Sequence, residues 1–481
     1  MNQLNTNVTQ YEPTWESLRN YSVPEWFKDA KLGIFIHWGV YAVPAFNNEW
    51  YPRFMYRDEM IPRRGVNFYQ HHLEHHGHSS EFGYKDFIPL FKAEKWDPTA
   101  WVDLFKKAGA KYVVPVAEHH DGFPMYDCSF TNWNAAQMGP CHDTVAELAA
   151  EVRKAGLKFG VSSHRAFNWR YYTFSEAFDT NNPDYCKLYG VPHPEEAPVS
   201  YEFILDWYAR TRELVDKFSP DVLWFDFGWH RDEFEPWRPR VAAYYYNHAL
   251  ANGYEPVLQY KDKLPDGVAV LDIERGKLDD IREHYWQTDT SVSYRSWCYI
   301  EDDEIKTVTT IVHDLVDIVS KNGNLLLNVG PRPDGTIPEE AVSVLLGLGQ
   351  WLDINGEAIY GTRHWQVYGE GPTEVSAAQF RERESKPFTG QDIRFTTKGN
   401  VLYAICLGWT EGKCTVKSLG SEEPVAAEAI ASITMLGCAE YPKGDEQLTW
   451  SQDENGLTIQ MPSEKPCEHA YAFKIVLKSP A

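Results

Sequence analysis

Two carboxylates in this chain stand directly after short apolar runs: Asp226 after VLWF and Glu274 after VLDI. Imidazoles take the same position elsewhere. His37 follows GIFI, Glu118-His119-His120 ends VVPVA, and His164 follows GVSS. A pair of carboxylates among imidazoles and indoles suits glycoside hydrolysis. One carboxylate attacks the anomeric carbon, while the other, its pKa raised by its surroundings, protonates the leaving oxygen. Asp226 lies among Trp224, Phe225 and Phe227, which limit its solvation and leave it in need of hydrogen-bond donors. A single aspartate at a strand end is more often a helix cap or loop anchor, so the combination carries the reading. No serine nucleophile elbow, phosphate-cradling glycine loop or dinucleotide fingerprint is present.

These residues converge only if the apolar runs are strands of one sheet. From about residue 30 to 330 such runs alternate with amphipathic stretches. Strands are expected at 31–39, 111–118, 157–164, 221–228, 256–261, 269–274, 285–292 and 324–330. Helical patterns fall between most of them, as in TAWVDLFKKAGA and SYEFILDWYARTRELVDKFSP. That order implies an α/β chain built as a (β/α)8-like barrel, in which strand C-termini carry the chemistry. Residues 46–98 do not fit a tight loop and read as an insertion over one end. A helical pattern at 338–356 reads as closing the barrel. After about 363 the texture changes to short alternating runs such as NVLYAICLG and YAFKIVLK, the pattern of an antiparallel β-sandwich. The expected division is a catalytic domain over 1–362 and a sandwich over 363–481.

The 46 Lys and Arg against 69 Asp and Glu give a formal charge of −23. This opposes binding to nucleic acid or to an anionic membrane surface. Aromatic residues reach 15% with 18 Trp, which suits either a ring-rich core or the stacking of sugar rings. None of the eight cysteines forms a C-x-x-C pair, and they read as mostly buried free thiols. The start MNQLNTNVTQYEP lacks a basic segment followed by an apolar one. A cytoplasmic location is therefore expected, or a periplasmic or secreted one if a leader has been removed.

Several long pieces closely resemble the retaining α-L-fucosidases (glycoside hydrolase family 29). They are WFKDAKLGIFIHWGVYAVPA, NEWY, AGAKYVVPVAEHHDGFPMYD, SPDVLWFD and SKNGNLLLNVGPRPDGTIPEEA, in the family's order. The resemblance implies a barrel followed by a sandwich, no metal or other cofactor, and fucosylated oligosaccharides or glycoconjugates as partners. It implies that Asp226 is the nucleophile, and that His37, Glu49, Trp50, His119, His120, His164 and Trp224 bind substrate. Glu274 matches the acid/base of the subgroup that places a Glu on the sixth strand, with Glu283 of IREHYW as reserve. The histidine pair 119–120 is expected to donate to sugar hydroxyls, and Trp133 either walls the pocket or packs beneath it.

The chain also departs from the family. Ser162-Ser163-His164 stands where Tyr-Tyr-Ser is common, Gln259-Tyr260-Lys261 where Asn-Asp-Arg is common, and Cys141-His142-Asp143 where an Arg-Asp pair is frequent. Lys261 cannot copy the bidentate fork of an arginine. An altered rim around Ser163, His164 and Lys261 leaves α-L-galactosides as a rival substrate class, and a non-catalytic fucose-binding protein as a rival of another kind. HHLEHHGH places His71/His75 and His72/His76 at helical i, i+4 spacing, but without the HExxH order of a zinc site. No third ligand of suitable spacing follows the 119–120 pair either.

Overall fold

All eight expected strands form and pair in chain order into a closed parallel barrel, seen in a computed structural model of the chain. The structure describes residues 10–61, 65–375, 377–384, 386–421, 425–438 and 448–478. Residues 1–9, the first part of the stretch read for a leader, lie outside that set. The strands are β1 Leu32–Ile36, β2 Tyr112–Glu118, β3 Lys158–Ser163, β4 Val222–Phe225, β5 Val257–Tyr260, β6 Val270–Asp272, β7 Trp286–Ser291 and β8 Gly323–Val329. Closure comes from β8 returning to β1, with Leu32 beside Leu325 and Ile36 beside Val329.

Every residue of β1, β2, β4, β5, β7 and β8 is buried, which is why these runs are continuously apolar or otherwise satisfied. Alternation survives within them. Phe35, Val114, Val116, Val222, Trp224 and Leu326 meet inside the barrel, while Ile34, Val113, Leu223, Phe225 and Leu327 face the helices. The helices start where the sequence supplies caps: Asp97 accepts from the Ala100 amide, Asp143 from Ala146 and Ser200 from Phe203.

The helix Glu339–Asn355 follows β8 and closes the ring of helices around the barrel, as its pattern implied. It packs outside, against the helices Pro98–Lys107 and Val308–Ser320. The approach is close at Gly349, where a Cβ would sit 1.8 Å from the Lys107 carbonyl oxygen. Gly349→Ala should therefore destabilise the fold by about 1–3 kcal/mol, the usual cost of overpacking. An unchanged urea midpoint would show that the helices separate freely.

Beyond the barrel, one sheet runs in the order β13-β16-β11-β10-β9 and a smaller one β12-β15-β14. Their strands are β9 Arg363–Glu370, β10 Ile393–Lys398, β11 Val401–Cys406, β12 Lys413–Val416, β13 Ile430–Met435, β14 Trp450–Asp453, β15 Gly456–Gln460 and β16 Tyr471–Leu477. All ladders are antiparallel, and the two sheets share a core including Phe395, Leu457 and Phe473. The larger sheet docks on the helix Val308–Ser320. Arg394 Nε lies 2.6 Å from Asp317 Oδ1, and Asp317 also pairs with Lys321. Burial opposes ionisation of Asp317, but these cations hold its carboxyl down at about 2. The cysteines are all free, yet only four are buried; Cys141 is exposed and three are half-buried.

Candidate active site

The expected functional side chains meet at the C-terminal end of the barrel strands. One cavity there is lined by His37, Glu49, Trp50, His119, His120, His164, Trp224, Asp226 and Glu274, joined by Phe227, Lys261, Asp289 and Trp297. The segment around residue 50 belongs to the long insertion, so that segment does cover this end. Glu49 Oε2 accepts from the Trp297 amide at 3.0 Å and from Ser296 Oγ at 3.3 Å. The Trp50 ring stacks on Phe227, with centroids 6.0 Å apart.

Asp226 is 6% exposed and surrounded by donors. His120 Nε2 and His164 Nδ1 each stand 3.0 Å from its Oδ2. Lys261 Nζ stands 3.1 Å from Oδ1, at ion-pair distance but without hydrogen-bond alignment. Oδ1 thus feels a cation while keeping a lone pair free to attack. Burial alone would raise this carboxyl, but Lys261 and the two imidazoles hold it well below the usual carboxylate range.

Glu274 sits just past β6, with Oε2 2.5 Å from the same Lys261 Nζ. Its pKa is raised, first by burial and then by Asp226, with Lys261 opposing. One ammonium therefore separates two carboxylates whose environments push their affinities for a proton apart. Both oxygens lie within 3.1 Å and 2.5 Å of one Nζ, so they are at most 5.6 Å from each other. Lys261 is also 3.5 Å from Asp289 Oδ2 and 4.8 Å from the centre of the Trp224 ring. Asp289 is raised well above the carboxylate range, by burial first and then by neighbouring Asp272. Lys261 thus faces three carboxyls, with Glu274 and Asp226 closer than Asp289.

The histidines divide into two kinds. His164 is fully engaged, Nδ1 toward Asp226 and Nε2 3.0 Å from Ser162 Oγ. His120 is engaged too, its Nδ1 donating to the His164 carbonyl at 2.7 Å. The expected donation from His120 to a sugar hydroxyl is thus replaced by orientation of Asp226. His37 and His119 keep nitrogens free. His37 Nδ1 donates to Asn328 Oδ1 at 2.7 Å, leaving Nε2 as an acceptor. His119 Nδ1 is buried with no hydrogen-bond partner among the described residues. Burial, reinforced by neighbouring imidazoles, holds both rings well below the usual histidine range, so they act as neutral groups.

The fold supplies what the sequence seemed to lack after the histidine pair. His164, from another strand, brings a third nitrogen near His37 and His119, and another near His120 and Asp226. Among the described residues no such group forms in HHLEHHGH. There His71 stacks on Phe46 and His75, while His72 bonds Tyr51 Oη and the Phe82 carbonyl. Trp224 donates to Asp272 Oδ2 at 3.2 Å and forms the floor beneath Lys261. Trp133 packs toward Tyr185 and does not line the cavity. Asp143 caps a helix and His142 pairs with Glu147 on it, so their triplet is structural. Glu283 is ruled out as a partner for Asp226: it precedes β7 at the strand's N-terminal end, opposite the site, and is exposed. Asn328, Asp289, Phe227 and Trp297 were missed as site residues, and Lys261 was expected only at the rim. Lys261 and Asn328 carried a readable signal, since each ends an apolar run as the recognised residues do.

Comparison with known proteins follows the same lines. The family model described as alpha-L-fucosidase matches residues 1–357, and that of the alpha-L-fucosidase C-terminal domain matches 386–476. Tissue alpha-L-fucosidase of Homo sapiens is 32% identical, covering 97% of this chain and 92% of its own length. The Bos taurus protein is 31% identical over 98% and 92%. A crystal structure of Thermotoga maritima alpha-fucosidase superposes with a TM-score of 0.77 at 34% identity, covering 97% of this chain and all of that one. The same enzyme in complex with fucose gives a TM-score of 0.74 at 33% identity.

Proposed function

The chain belongs to the α-L-fucosidase family of glycoside hydrolases, and from that premise we propose that it removes terminal α-L-fucosyl residues from glycans with net retention. Asp226 Oδ1 bonds to C1 as the bond from C1 to the glycosidic oxygen breaks, and Glu274 gives its proton to that oxygen. Water then attacks C1, passes a proton to the Glu274 carboxylate, and the ester to Asp226 breaks. His37 Nε2 and His119 Nδ1 receive sugar hydroxyls, and the Trp50–Phe227 pair offers an apolar wall to the methyl group.

The observation that carries this reading is the limit of 5.6 Å between the two carboxylate oxygens. Inverting enzymes hold theirs about 6.5–9.5 Å apart to fit a water, whereas retaining ones use about 5–5.5 Å. Proton NMR during hydrolysis of an aryl α-L-fucoside tests it. The α-anomer of fucose should appear first, and initial release of the β-anomer would refute retention.

Glu274→Ala should slow substrates with poor leaving groups by about 10²–10⁴-fold, the range of general acid catalysis. Fucosyl fluoride, which needs no proton, should lose far less. Azide should restore turnover as the α-fucosyl azide. Of the three residues suggested for a galactoside rim, Lys261 is committed to carboxylates and both nitrogens of His164 are taken. No described helix is long and apolar enough to cross a membrane.

A further inference from the structure

The turn that carries Glu274 is held from the C-terminal half of the chain. Arg275 has φ +44°, a left-handed conformation that a side-chain-bearing residue adopts only when its surroundings enforce it. Its amide donates to the Asp289 carbonyl at 2.8 Å. Its guanidinium donates to the carbonyls of Ser293 and Ser296 and lies 4.6 Å from the centre of the Trp297 ring. The remaining partner is Glu382, which lies between β9 and β10. Glu382 Oε1 accepts from Arg275 Nη1 at 2.5 Å, and its Oε2 takes Lys306 Nζ and Thr290 Oγ1, each at 2.6 Å.

The backbone of the same segment follows. The Phe380 amide donates to the Glu274 carbonyl at 3.0 Å, and Ala378 bridges Lys277. A Cβ on Gly276 would meet the Ala378 carbonyl at 2.5 Å, so the two backbones are in direct contact. Only 10% of the Glu382 side chain is exposed. A carboxylate so shielded, and tied at once to Arg275 beside the acid/base, to Thr290 of β7 and to Lys306, is more than a surface ion pair.

We infer that Glu382 is a positioning residue for the acid/base, acting through Arg275 to hold Glu274 at the glycosidic oxygen. The inference rests on the reading of Glu274 as acid/base. Glu382 also sets the charge that Glu274 experiences. Glu274 faces Lys261 from β5, Asp226 from β4, Asp289 from β7 across that ammonium, and Arg275 in its own turn. Arg275 favours the ionised form of Glu274, and Glu382 neutralises Arg275.

Two variants with opposite electrostatic signs test this in the full-length enzyme. Glu382→Gln leaves Arg275 uncompensated, so the pKa of Glu274 falls and the alkaline limb of kcat/KM moves to lower pH. Arg275→Met removes the cation, so that limb moves to higher pH. Both should lose about tenfold or more in kcat on a fucosyl disaccharide, with KM within about twofold, as expected of misplacement near a reacting group. Both should keep most of their rate on α-L-fucosyl fluoride. Equal losses on the two substrates, no loss at all, or limb shifts of the same sign would overturn the inference. If either variant fails to fold, the other still gives a limb shift of predicted sign. Glu274→Ala is run beside them. If it lacks the leaving-group signature, the acid/base reading fails; if it shows that signature and Glu382→Gln does not, only the role of Glu382 fails.

Discussion

Asp226→Gly should lower turnover of an aryl α-L-fucoside by about 10⁴-fold or more, on the scale of removing a covalent nucleophile. The loss follows from the arrangement around this one carboxylate. Two imidazoles fix Oδ2, and an ammonium beside Oδ1 lowers the affinity for a proton without tying up the attacking lone pair. No other carboxylate stands ready to substitute. Burial raises the proton affinity of both Glu274 and Asp289, and Asp272 accepts from Trp224 and Gln287. The variant should fold, because Lys261 keeps Glu274 as a partner, His164 Nε2 keeps Ser162 and His120 Nδ1 keeps the His164 carbonyl. Azide at high concentration should restore turnover by entering the space vacated by the carboxylate. The product should be β-fucosyl azide, since attack comes from the face opposite the departing α-linked group. Mass spectrometry and NMR of the product decide the matter. More than about 1% residual activity in the pure variant, or an α-configured azide, would remove Asp226 from the nucleophile role.

The parts of this site that could be read in the sequence are those whose position follows from strand periodicity. Most barrel strands are buried on both faces and leave a continuous apolar run, β7 with its WQTDTS being the polar exception, and the residue that ends such a run must stand at the rim. Asp226, Glu274, His37 and His164 were found that way. Periodicity does not give the direction of a side chain beyond the rim. His120 turns toward Asp226 and not toward the open cavity because the His164 carbonyl holds its Nδ1, a contact between separate strands. Counting along the chain also failed for Glu283, because a residue before a strand lies at the opposite end of the barrel from one after it. The third limit is long-range docking. Glu382 reaches Arg275 across 107 residues from a region whose local pattern shows only a sheet. Lys261 is instructive in another way. Viewed as a missing arginine fork it looked like a loss of geometry, whereas in the fold it is the one ammonium that contacts both proposed catalytic acids.

Removing that ammonium should therefore alter stability and catalysis together. Lys261→Met keeps the volume and the contact with Trp224 but strands Asp226 and Glu274 near each other. The cost should be about 3–5 kcal/mol at neutral pH, the range for breaking one side of a buried ion pair. Its pH dependence has a defined sign. In the native enzyme Lys261 depresses the pKa of Asp226, so the stability gained is present above the unfolded carboxylate range, near pH 4, and is lost as pH falls through the depressed value. Without the cation that contribution disappears. The gap in urea midpoint between wild type and Lys261→Met should accordingly stay wide from pH 7 down to about pH 4 and narrow as pH falls below that, through the depressed value. Lys261 also lowers the pKa of Glu274, so both limbs of the pH–rate profile should move to higher pH in the variant. Lys261→Arg should retain the charge and recover most of the stability, and a partial recovery of rate would measure how much the compact ammonium matters beyond its charge. A midpoint gap that stays constant or widens below about pH 4 would mean that the lysine contributes packing alone. The two carboxylates would then need another source for the divergence in proton affinity on which the proposed double displacement depends.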